Sequence, residues 1–428
     1  MSDIKPNRLS LNRRHFLAAG AATAAALPAA SYARVVGANN RLTVGVVGAG
    51  GMGTGHLHAI QALGETNNLR LAAVADCWTQ RATQAKERFG ADLAAQDYRR
   101  LLDRDEIDYV TIATPEHRHE EVVLASLDAG KHVYCEKPLT HTIPECQRVL
   151  AKLEETGLSL QVGVQGMSDD SYASAAEAIR AGELGQVVQA QIEYVRRYGE
   201  QGPWRTNPPT DPAMPKPADL DWRAWLGDAP AIGWNPNHYF EWRNYAAYSG
   251  GISTDLFIHR ITRIMKACDL MYPSRVVGMG GIWQWRDGRD LPDNFEMICE
   301  YPRGMTVYVL GTMSNRAGIS HCIRGYRATL YFTGGGWEIR NKDGELLREH
   351  KKTGAEDLKL HHTNLHNHLR SEEPLNCPAE LGMAGVAAVC MALESWKTGT
   401  MTAWDAENER VVSANTMPPR PSAEELQE

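Results

Sequence analysis

Two hydrophobic patterns divide the chain. In the first part, short apolar runs typical of buried parallel strands occupy 42–47, 69–75, 107–113 and 131–135. Stretches with apolar residues at helical spacing, such as 80–89 and 121–129, separate them. This alternation predicts an α/β domain with a doubly wound parallel sheet of the Rossmann type. We place it at residues 40–160.

The second part has strand-like runs that follow one another with few helices between them. They occupy 187–198, 275–285, 294–301, 305–313, 328–333 and 337–341. Helical patterns occur at 174–182 and 380–396, and the glycines at 334–336 predict a hairpin. Successive strands favour a mostly antiparallel sheet, so we predict an α+β domain at residues 161–410 and a loose tail at 411–428.

Composition narrows the class of protein. The 428 residues are 43% hydrophobic and 23% charged, with a net charge of −7. These values suit a globular protein of two or three domains, and they argue against a nucleic-acid or anionic-membrane binder, which needs a basic surface. None of the eight cysteines forms a C-x-x-C pair, which argues against a zinc ribbon and against a redox dithiol.

The N-terminus resembles a twin-arginine export signal. Arg13 and Arg14 precede a run of small, mildly apolar residues that ends at Ala33. We therefore predict a signal peptide at 1–33, cleavage near Ala33, use of the twin-arginine export machinery and a periplasmic or otherwise exported protein. The run is too short for a permanent membrane anchor. The alternative is a short helix that starts the fold. Since this route exports folded proteins, we also expect any cofactor of the protein to be tightly bound.

A glycine-rich turn follows the first strand and opens a helix. Gly48 permits the tight turn, Gly50 lets the backbone approach a pyrophosphate, and Gly53 allows close helix–strand packing. The second strand ends at Asp76, which can accept hydrogen bonds from the adenosine ribose. This favours NAD over NADP, although the nearby Arg81 opposes that preference. The alternative role for Asp76 is a helix N-cap.

The next two strands end in further polar segments. The third ends at Thr114–His119, and the fourth at Glu136-Lys137-Pro138. Ligands bind at this carboxyl edge in open α/β sheets. A lysine there can hydrogen-bond a substrate hydroxyl and stabilise a developing alkoxide.

In this order, GAGGMG, VAD, ATPEHRH and HVYCEKP resemble the Gfo/Idh/MocA oxidoreductase family over most of residues 42–410. The resemblance implies a second domain with a large open sheet and a homodimer or homotetramer. It also implies a cis peptide before Pro138 and places Lys137 beside the nicotinamide. The candidate cofactor-binding residues are Gly48, Gly50, Gly51, Met52, Gly53, Asp76, Thr114, Pro115, His119, Glu136, Lys137 and Gln165.

A second candidate cluster follows Gly250-Gly251. Asp255 and His259 are four residues apart, so on a helix they share one face. Such a pair suits a general base and the group that orients it, and the alternative is a core histidine with a structural aspartate. The segment resembles the family's G-G-x-x-x-D-x-x-x-H motif. That resemblance implies that His259 takes a hydroxyl proton while Lys137 holds the oxygen and Asp255 assists.

The candidate substrate residues come from two polar segments. Residues 203–236 contain eight prolines and predict an irregular loop over the site. After it, His238, Tyr239 and Arg243 could bind a sugar, although the aromatic residues here could equally be packing. In the histidine-rich run at 361–368, His361 or His362 could face substrate, and the alternative is a solvated helix start. We assign no metal site there.

These features predict an exported NAD-dependent dehydrogenase that acts on a sugar or polyol, with small-molecule carbohydrate as its partner and no nucleic acid. The alternative is an NAD-dependent glycosidase or lyase that acts through a transient keto-sugar. A third hypothesis is a non-enzymatic nucleotide-binding protein. The sequence leaves the sugar and the oxidised carbon open.

Overall fold

The computed structural model describes residues 40–200, 202–204, 210–302 and 304–416. The predicted export signal at 1–33 and most of the predicted tail lie outside these ranges.

A six-stranded parallel sheet forms from the first part of the chain, as predicted. Its strands are β1 Leu42–Val47, β2 Leu69–Ala75, β3 Leu93–Ala95, β4 Tyr109–Ile112, β5 His132–Glu136 and β6 Leu160–Gly163. The spatial order is β3-β2-β1-β4-β5-β6. The order reverses between β1 and β4, and this is where open parallel sheets leave a crevice for a ligand. β6 carries the sheet to Gly163, beyond the predicted boundary at residue 160.

The second sheet has ten strands. They are β7 Val187–Val195, β8 Arg275–Gly281, β9 Asn294–Tyr301, β10 Met305–Thr312, β11 Cys322–Gly325, β12 Ala328–Thr333, β13 Gly336–Asn341, β14 Leu346–Lys351, β15 Thr402–Asp405 and β16 Arg410–Ser413. Their order is β14-β13-β12-β11-β7-β10-β9-β8-β15-β16. All neighbouring strands are antiparallel except β7 and β10. The predicted large, mostly antiparallel sheet is therefore confirmed.

Eleven α-helices connect and cover the sheets in the part of the chain that the structure describes. They are α1 Gly51–Leu63, α2 Thr79–Phe89, α3 Arg99–Leu102, α4 His119–Asp128, α5 Ile143–Thr156, α6 Ser171–Arg180, α7 Trp222–Leu226, α8 Pro236–Phe240, α9 Ile258–Cys268, α10 Leu358–Ser371 and α11 Ala379–Thr398. A π-helical turn, Ile252–Phe257, runs directly into α9.

The two sheets share one apolar core. It joins Val110 and Val133 of the first sheet to Phe295 and Val307 of the second. Helix α11 lies in this core. It is long and apolar enough to cross a membrane, but 72% of its most apolar 18-residue window is buried inside the protein. Burial in the protein core accounts for its composition.

Candidate functional site

The glycine turn between β1 and α1 depends on close backbone approach. Gly48 has φ 91°, in the left-handed region, and a Cβ there would lie 2.7 Å from the backbone of Ala113. A Cβ on Gly53 would lie 1.8 Å from the carbonyl oxygen of Gly48. Gly53 therefore lets helix α1 pack against the turn, which leaves its first N–H groups facing the crevice.

Asp76 is joined to this turn. Its two carboxylate oxygens accept hydrogen bonds from Ala49 N and Trp78 N, both at 2.8 Å. Burial raises the pKa of Asp76, although the charge of Arg81 opposes the shift. The guanidinium of Arg81 lies over the rings of Trp78 and Tyr239, at 4.9 and 5.2 Å from their centroids. The N-cap of α2 is Trp78, so Asp76 is not the helix cap.

A cleft of about 830 Å³ extends from this turn along the carboxyl edge of the sheet. Of the predicted cofactor-binding residues, it is lined by Gly48, Gly50, Gly51, Met52, Asp76, Thr114, Pro115, His119, Glu136 and Lys137. This volume lies within the range of small-molecule and cofactor sites, and its polar groups converge from separate strands.

Lys137 and Asp255 meet at the end of the cleft. The Lys137–Pro138 peptide is cis, as the resemblance implied. Lys137 Nζ donates to Asp255 Oδ1 at 2.7 Å and to Asp255 O at 2.9 Å. Arg243 Nε donates to the same carboxylate oxygen at 2.8 Å. Burial alone would raise the pKa of Asp255, but the charges of Arg243 and Lys137 outweigh it and hold this pKa well below its usual range.

His259 lies one residue into α9, directly after the π-helical turn. Its Nδ1 is buried without a hydrogen-bond partner among the described residues. Burial, with the charges of Lys137 and Arg263, lowers the pKa of His259 well below its ordinary value, so the imidazole is neutral. Among the described residues no hydrogen bond joins His259 to Asp255 as expected, and Oδ1 of Asp255 accepts from Lys137 and Arg243 instead. Charge-assisted bonds of this kind are stronger than one to a neutral imidazole.

Glu136 is the centre of a buried network behind the cleft. Its Oε1 accepts from Gln165 Nε2 at 2.6 Å and lies 3.0 Å from His56 Nε2. The ring of His56 also contacts His362, 2.9 Å between Nδ1 and Nε2. Gln165 therefore supports Glu136 from behind and does not line the cleft. His56 was not predicted from the sequence, because a single histidine in a helical pattern gives no signal of its partners.

The segment after β4 ties the cleft to the second half of the chain. Glu116 accepts hydrogen bonds from Ser249 Oγ and Thr254 Oγ1, both at 2.7 Å. His119 faces two backbone carbonyls, Pro138 O at 2.8 Å and Thr114 O at 3.0 Å. Since both of its ring nitrogens have protein partners, His119 has a positioning role. The role of Glu116 was missed because its partners lie more than 130 residues away.

Three of the four predicted substrate residues, His238, Tyr239 and His361, do not contact Lys137 or Asp255 at the end of the cleft. His361 is fully buried, with Nε2 2.9 Å from Val162 O and Nδ1 2.8 Å from Ser168 Oγ. Its alternative, His362, is also fully buried and stacks on Tyr134. The prediction that His361 faces substrate is therefore wrong, because the packing of α10 against β5 and β6 encloses both rings.

The other three candidates follow the proline-rich segment 203–236, and two of them pack in a cluster of aromatic residues that includes Trp222, Trp225 and Tyr248. Tyr239 is buried and lies over Arg81 at the Asp76 end of the cleft, away from Lys137. His238 stacks on Tyr245 at 3.9 Å and does not line the cleft. Arg243 alone reaches Asp255.

The tryptophans of this region pack mainly on one another. Trp222 and Trp225 stack at 4.7 Å, and Trp234 meets Trp222 edge-on at 5.2 Å. Their segment forms the short helices α7 and α8 in place of a wholly irregular loop. Its aromatic residues therefore build one wall of the cleft. Of the two roles considered for these rings, sugar binding and packing, the structure supports packing.

Buried neutral imidazoles should make the fold sensitive to acid. Burial is the first cause that lowers the pKa of His259, His321 and His362, and it lowers the pKa of His361 to about 4. Below about pH 6.5 the unfolded chain binds protons that the folded protein does not, so stability falls as pH falls. We expect about 1.4 kcal/mol lost per histidine per pH unit there. Calorimetric Tm values should drop from pH 7.5 to pH 5, and a constant or rising Tm would contradict this.

Residues 42–164 match the sequence model of a family described as "Oxidoreductase family, NAD-binding Rossmann fold" (GFO_IDH_MocA). The match begins at β1 and ends one residue after β6, so it covers the whole parallel sheet. This part of the chain therefore has the NAD-binding Rossmann fold that the family description names, and its glycine turn opens onto the cleft.

Two named relatives extend the comparison. Levoglucosan dehydrogenase of Pseudarthrobacter phenanthrenivorans is 27% identical over 212 residues, which cover 48% of this chain and 50% of the relative. Inositol 2-dehydrogenase of Rubrobacter xylanophilus is 37% identical over 153 residues, which cover 36% and 43%. The chain thus spans about half or less of the length of these relatives.

The full fold also has solved counterparts. The structure of levoglucosan dehydrogenase in complex with NADH superimposes with a TM-score of 0.66, over 84% of this chain and 98% of the other, at 19% identity. At this identity the likeness concerns the fold, including the second sheet that the family model does not reach.

Proposed function

We propose that this protein is an NAD-dependent dehydrogenase that acts on a CH–OH group of a sugar or polyol. One observation carries the proposal. A lysine at the carboxyl edge of the Rossmann sheet is fixed by an aspartate from the second half of the chain, and a neutral histidine follows that aspartate. The named relatives, levoglucosan and inositol dehydrogenases, support the same class of substrate.

The residues present fit a dinucleotide. Only glycine can occupy positions 48 and 53 without a backbone clash, and α1 begins at the turn with no acidic residue in its first turn. Asp76 is held by Ala49 at the edge of the cleft, where a ribose could meet its carboxylate. When bound, NAD supplies the hydride acceptor for the oxidation.

Three side chains at the end of the cleft would bind the substrate hydroxyl and remove its proton. Lys137 has three N–H donors. Two of them donate to Asp255, so the third can donate to the oxygen of a substrate hydroxyl. Its charge stabilises that oxygen as it loses its proton. His259 is neutral and can take the proton, and Asp255 keeps Lys137 in place.

The test is an absorbance assay with two substrate panels. The first panel holds free sugars and polyols, both neutral and acidic, and the second holds aryl glycosides; each is incubated with the protein and NAD. The proposal expects net NADH from the free sugars or polyols. Aglycone release without net NADH would instead support a glycosidase that acts through a transient keto-sugar, and no turnover with either panel would contradict both functions. A Lys137→Met protein purified in parallel controls for contaminating dehydrogenases.

We also propose that the protein is exported by the twin-arginine route. The support is the sequence of residues 12–33, with its paired arginines and the A-x-A-like end at Ala33. N-terminal sequencing of the protein from a periplasmic fraction should begin after Ala33. Replacing Arg13 and Arg14 by lysine should leave the precursor in the cytoplasm, and a secreted form that begins at Met1 would contradict the proposal.

A homodimer or homotetramer completes the proposal. Met279 and Ile298 lie on one face of the ten-stranded sheet and are 69% and 45% exposed, and the nearby Trp283 is 68% exposed. An apolar surface of this kind is typical of a protein–protein interface. Light scattering on the purified protein should give a mass two or four times that of the mature chain.

A further inference from the structure

The charges of three arginines act on the carboxylate of Glu356, and the charges of two of them also act on His259. Arg260 and Arg263 come from α9, and Arg196 directly follows β7. The guanidinium of Arg260 lies 4.5 Å from the ring centroid of Tyr194, and Arg196 donates a hydrogen bond to the hydroxyl of that same tyrosine. The charges of Lys137 and Asp255 also act on Tyr194, so this cluster adjoins the proposed reaction site.

The cluster has more positive than negative charge. Arg263 Nη2 forms an ion pair with Glu356 at 2.7 Å. Asp255, the other nearby carboxylate, is held by Lys137 and Arg243. Within the described ranges neither Arg196, which is exposed, nor the largely buried Arg260 forms an ion pair, so the guanidinium charge of Arg260 lacks a paired carboxylate. Buried cations are rarely left without a counter-charge in a folded protein.

Several polar atoms in the cluster also have no partner. Arg260 Nε, Arg263 Nε and His321 Nε2 are buried and make no hydrogen bond among the described residues. The ring of His321 stacks near Tyr172, whose hydroxyl accepts from Arg263 at 3.4 Å. Buried donors without acceptors are costly, and they occur where a ligand completes the hydrogen bonding.

We propose that Arg196, Arg260, Arg263 and His321 form an anion subsite, which binds a carboxylate or phosphate group of the substrate. The substrate would then be an acidic or phosphorylated sugar or polyol whose CH–OH group reaches Lys137 and His259. The guanidinium fork matches the oxygens of both groups, whereas hydroxyl groups alone would leave the excess charge unbalanced. This inference rests on the proposed dehydrogenase function and narrows its substrate class.

The experiment compares matched probes on the full mature protein. Calorimetric binding and kcat/KM are measured for hexuronates and aldonates, for hexose 6-phosphates, and for the corresponding neutral hexoses. We expect one anionic group to bind at least about 10-fold more tightly than its neutral counterpart. Loss of a charge-assisted hydrogen bond should reduce that preference by about 10- to 100-fold in Arg260→Gln.

Two further variants separate this role from a structural one. Arg260→Lys keeps the charge and should retain part of the preference, whereas Arg410→Gln, at an exposed arginine paired with Asp405, should match the wild type. Burial disfavours the charged form of Arg260 in the free protein, and the charge of Arg263 adds to this while Glu356 opposes it, so Arg260→Gln should not lower the Tm of the unliganded protein. A lowered Tm with an unchanged preference for anions would assign Arg260 a structural role and overturn the subsite.

The outcomes distinguish this inference from the proposed function. Arg260-dependent binding of anionic probes without NADH formation would support the subsite and contradict the dehydrogenase. Oxidation of neutral hexoses with no preference for anions would support the dehydrogenase and overturn the subsite. Preference for uronates or aldonates identifies a carboxylate as the group bound, and preference for 6-phosphates identifies a phosphate.

Discussion

Lys137→Met is expected to lower kcat by about 10²–10³-fold, because it removes the cation that holds the substrate oxygen. His259→Asn removes the proton acceptor, and a loss of about 10²–10⁴-fold is expected. The two side chains act on the same hydroxyl, so the double variant should lose less than the product of the single losses. Steady-state kinetics with the best substrate from the assay measures all three values.

NADH binding provides the control for this series. Neither substitution changes the glycine turn or Asp76, so fluorescence titration should give Kd values within a few-fold of the wild type. If both single variants kept near-wild-type kcat with NADH binding intact, the assignment of these residues would be wrong. If NADH binding were lost as well, the kcat values would not isolate the chemical step, and Lys137→Gln, which also removes the cation but keeps a polar side chain, would replace Lys137→Met in the series.

Gly53→Ala is expected to abolish measurable NADH binding and to destabilise the protein by about 1–3 kcal/mol or more. Its Cβ would lie 1.8 Å from Gly48 O and 2.8 Å from Gly48 C, so the backbone of the turn must move. That movement displaces the N–H groups that face the cleft. NADH titration and thermal unfolding measure the two effects.

Gly55→Ala is the matched control, two residues further along α1. Its Cβ would meet nothing closer than Leu358 Cδ1 at 3.6 Å, an ordinary van der Waals contact. Alanine in a helix interior is favoured over glycine by about 1 kcal/mol, so this variant should be as stable as the wild type or more stable. Equal NADH affinity in Gly53→Ala and Gly55→Ala would contradict the proposed role of the turn.

The sequence predicted the parallel sheet well because its central strands are buried on both faces. Fully apolar runs such as 42–47 and 107–113 then stand out from the helices between them. The strands it missed lack this signal. β3 has three residues, and β14, Leu346–Lys351, is a largely exposed edge strand with charged residues at three of its six positions. Such a strand is specified by its pairing with β13, which a local pattern does not contain.

The site was predicted less completely than the fold, for a related reason. Lys137, Asp255 and His259 were named from motifs, but the partner of Asp255 was not. Asp255 pairs with a lysine 118 residues away and an arginine 12 residues away, and the motif suggested a histidine four residues away. His361 was misjudged because its segment is polar in composition, whereas the packing of α10 buries it completely. Local spacing identifies candidate chemistry, and tertiary packing decides which groups meet.

The most direct test of the account is a crystal structure of the protein with NADH bound. The account predicts the pyrophosphate on the N–H groups of the Gly48–Gly53 turn and the nicotinamide at the Lys137 end of the cleft. The reactive face of that ring should be flanked by the ammonium group of Lys137 and the imidazole of His259. A nicotinamide bound away from Lys137, or a His259 ring that cannot reach a substrate placed against the nicotinamide, would contradict the central claim.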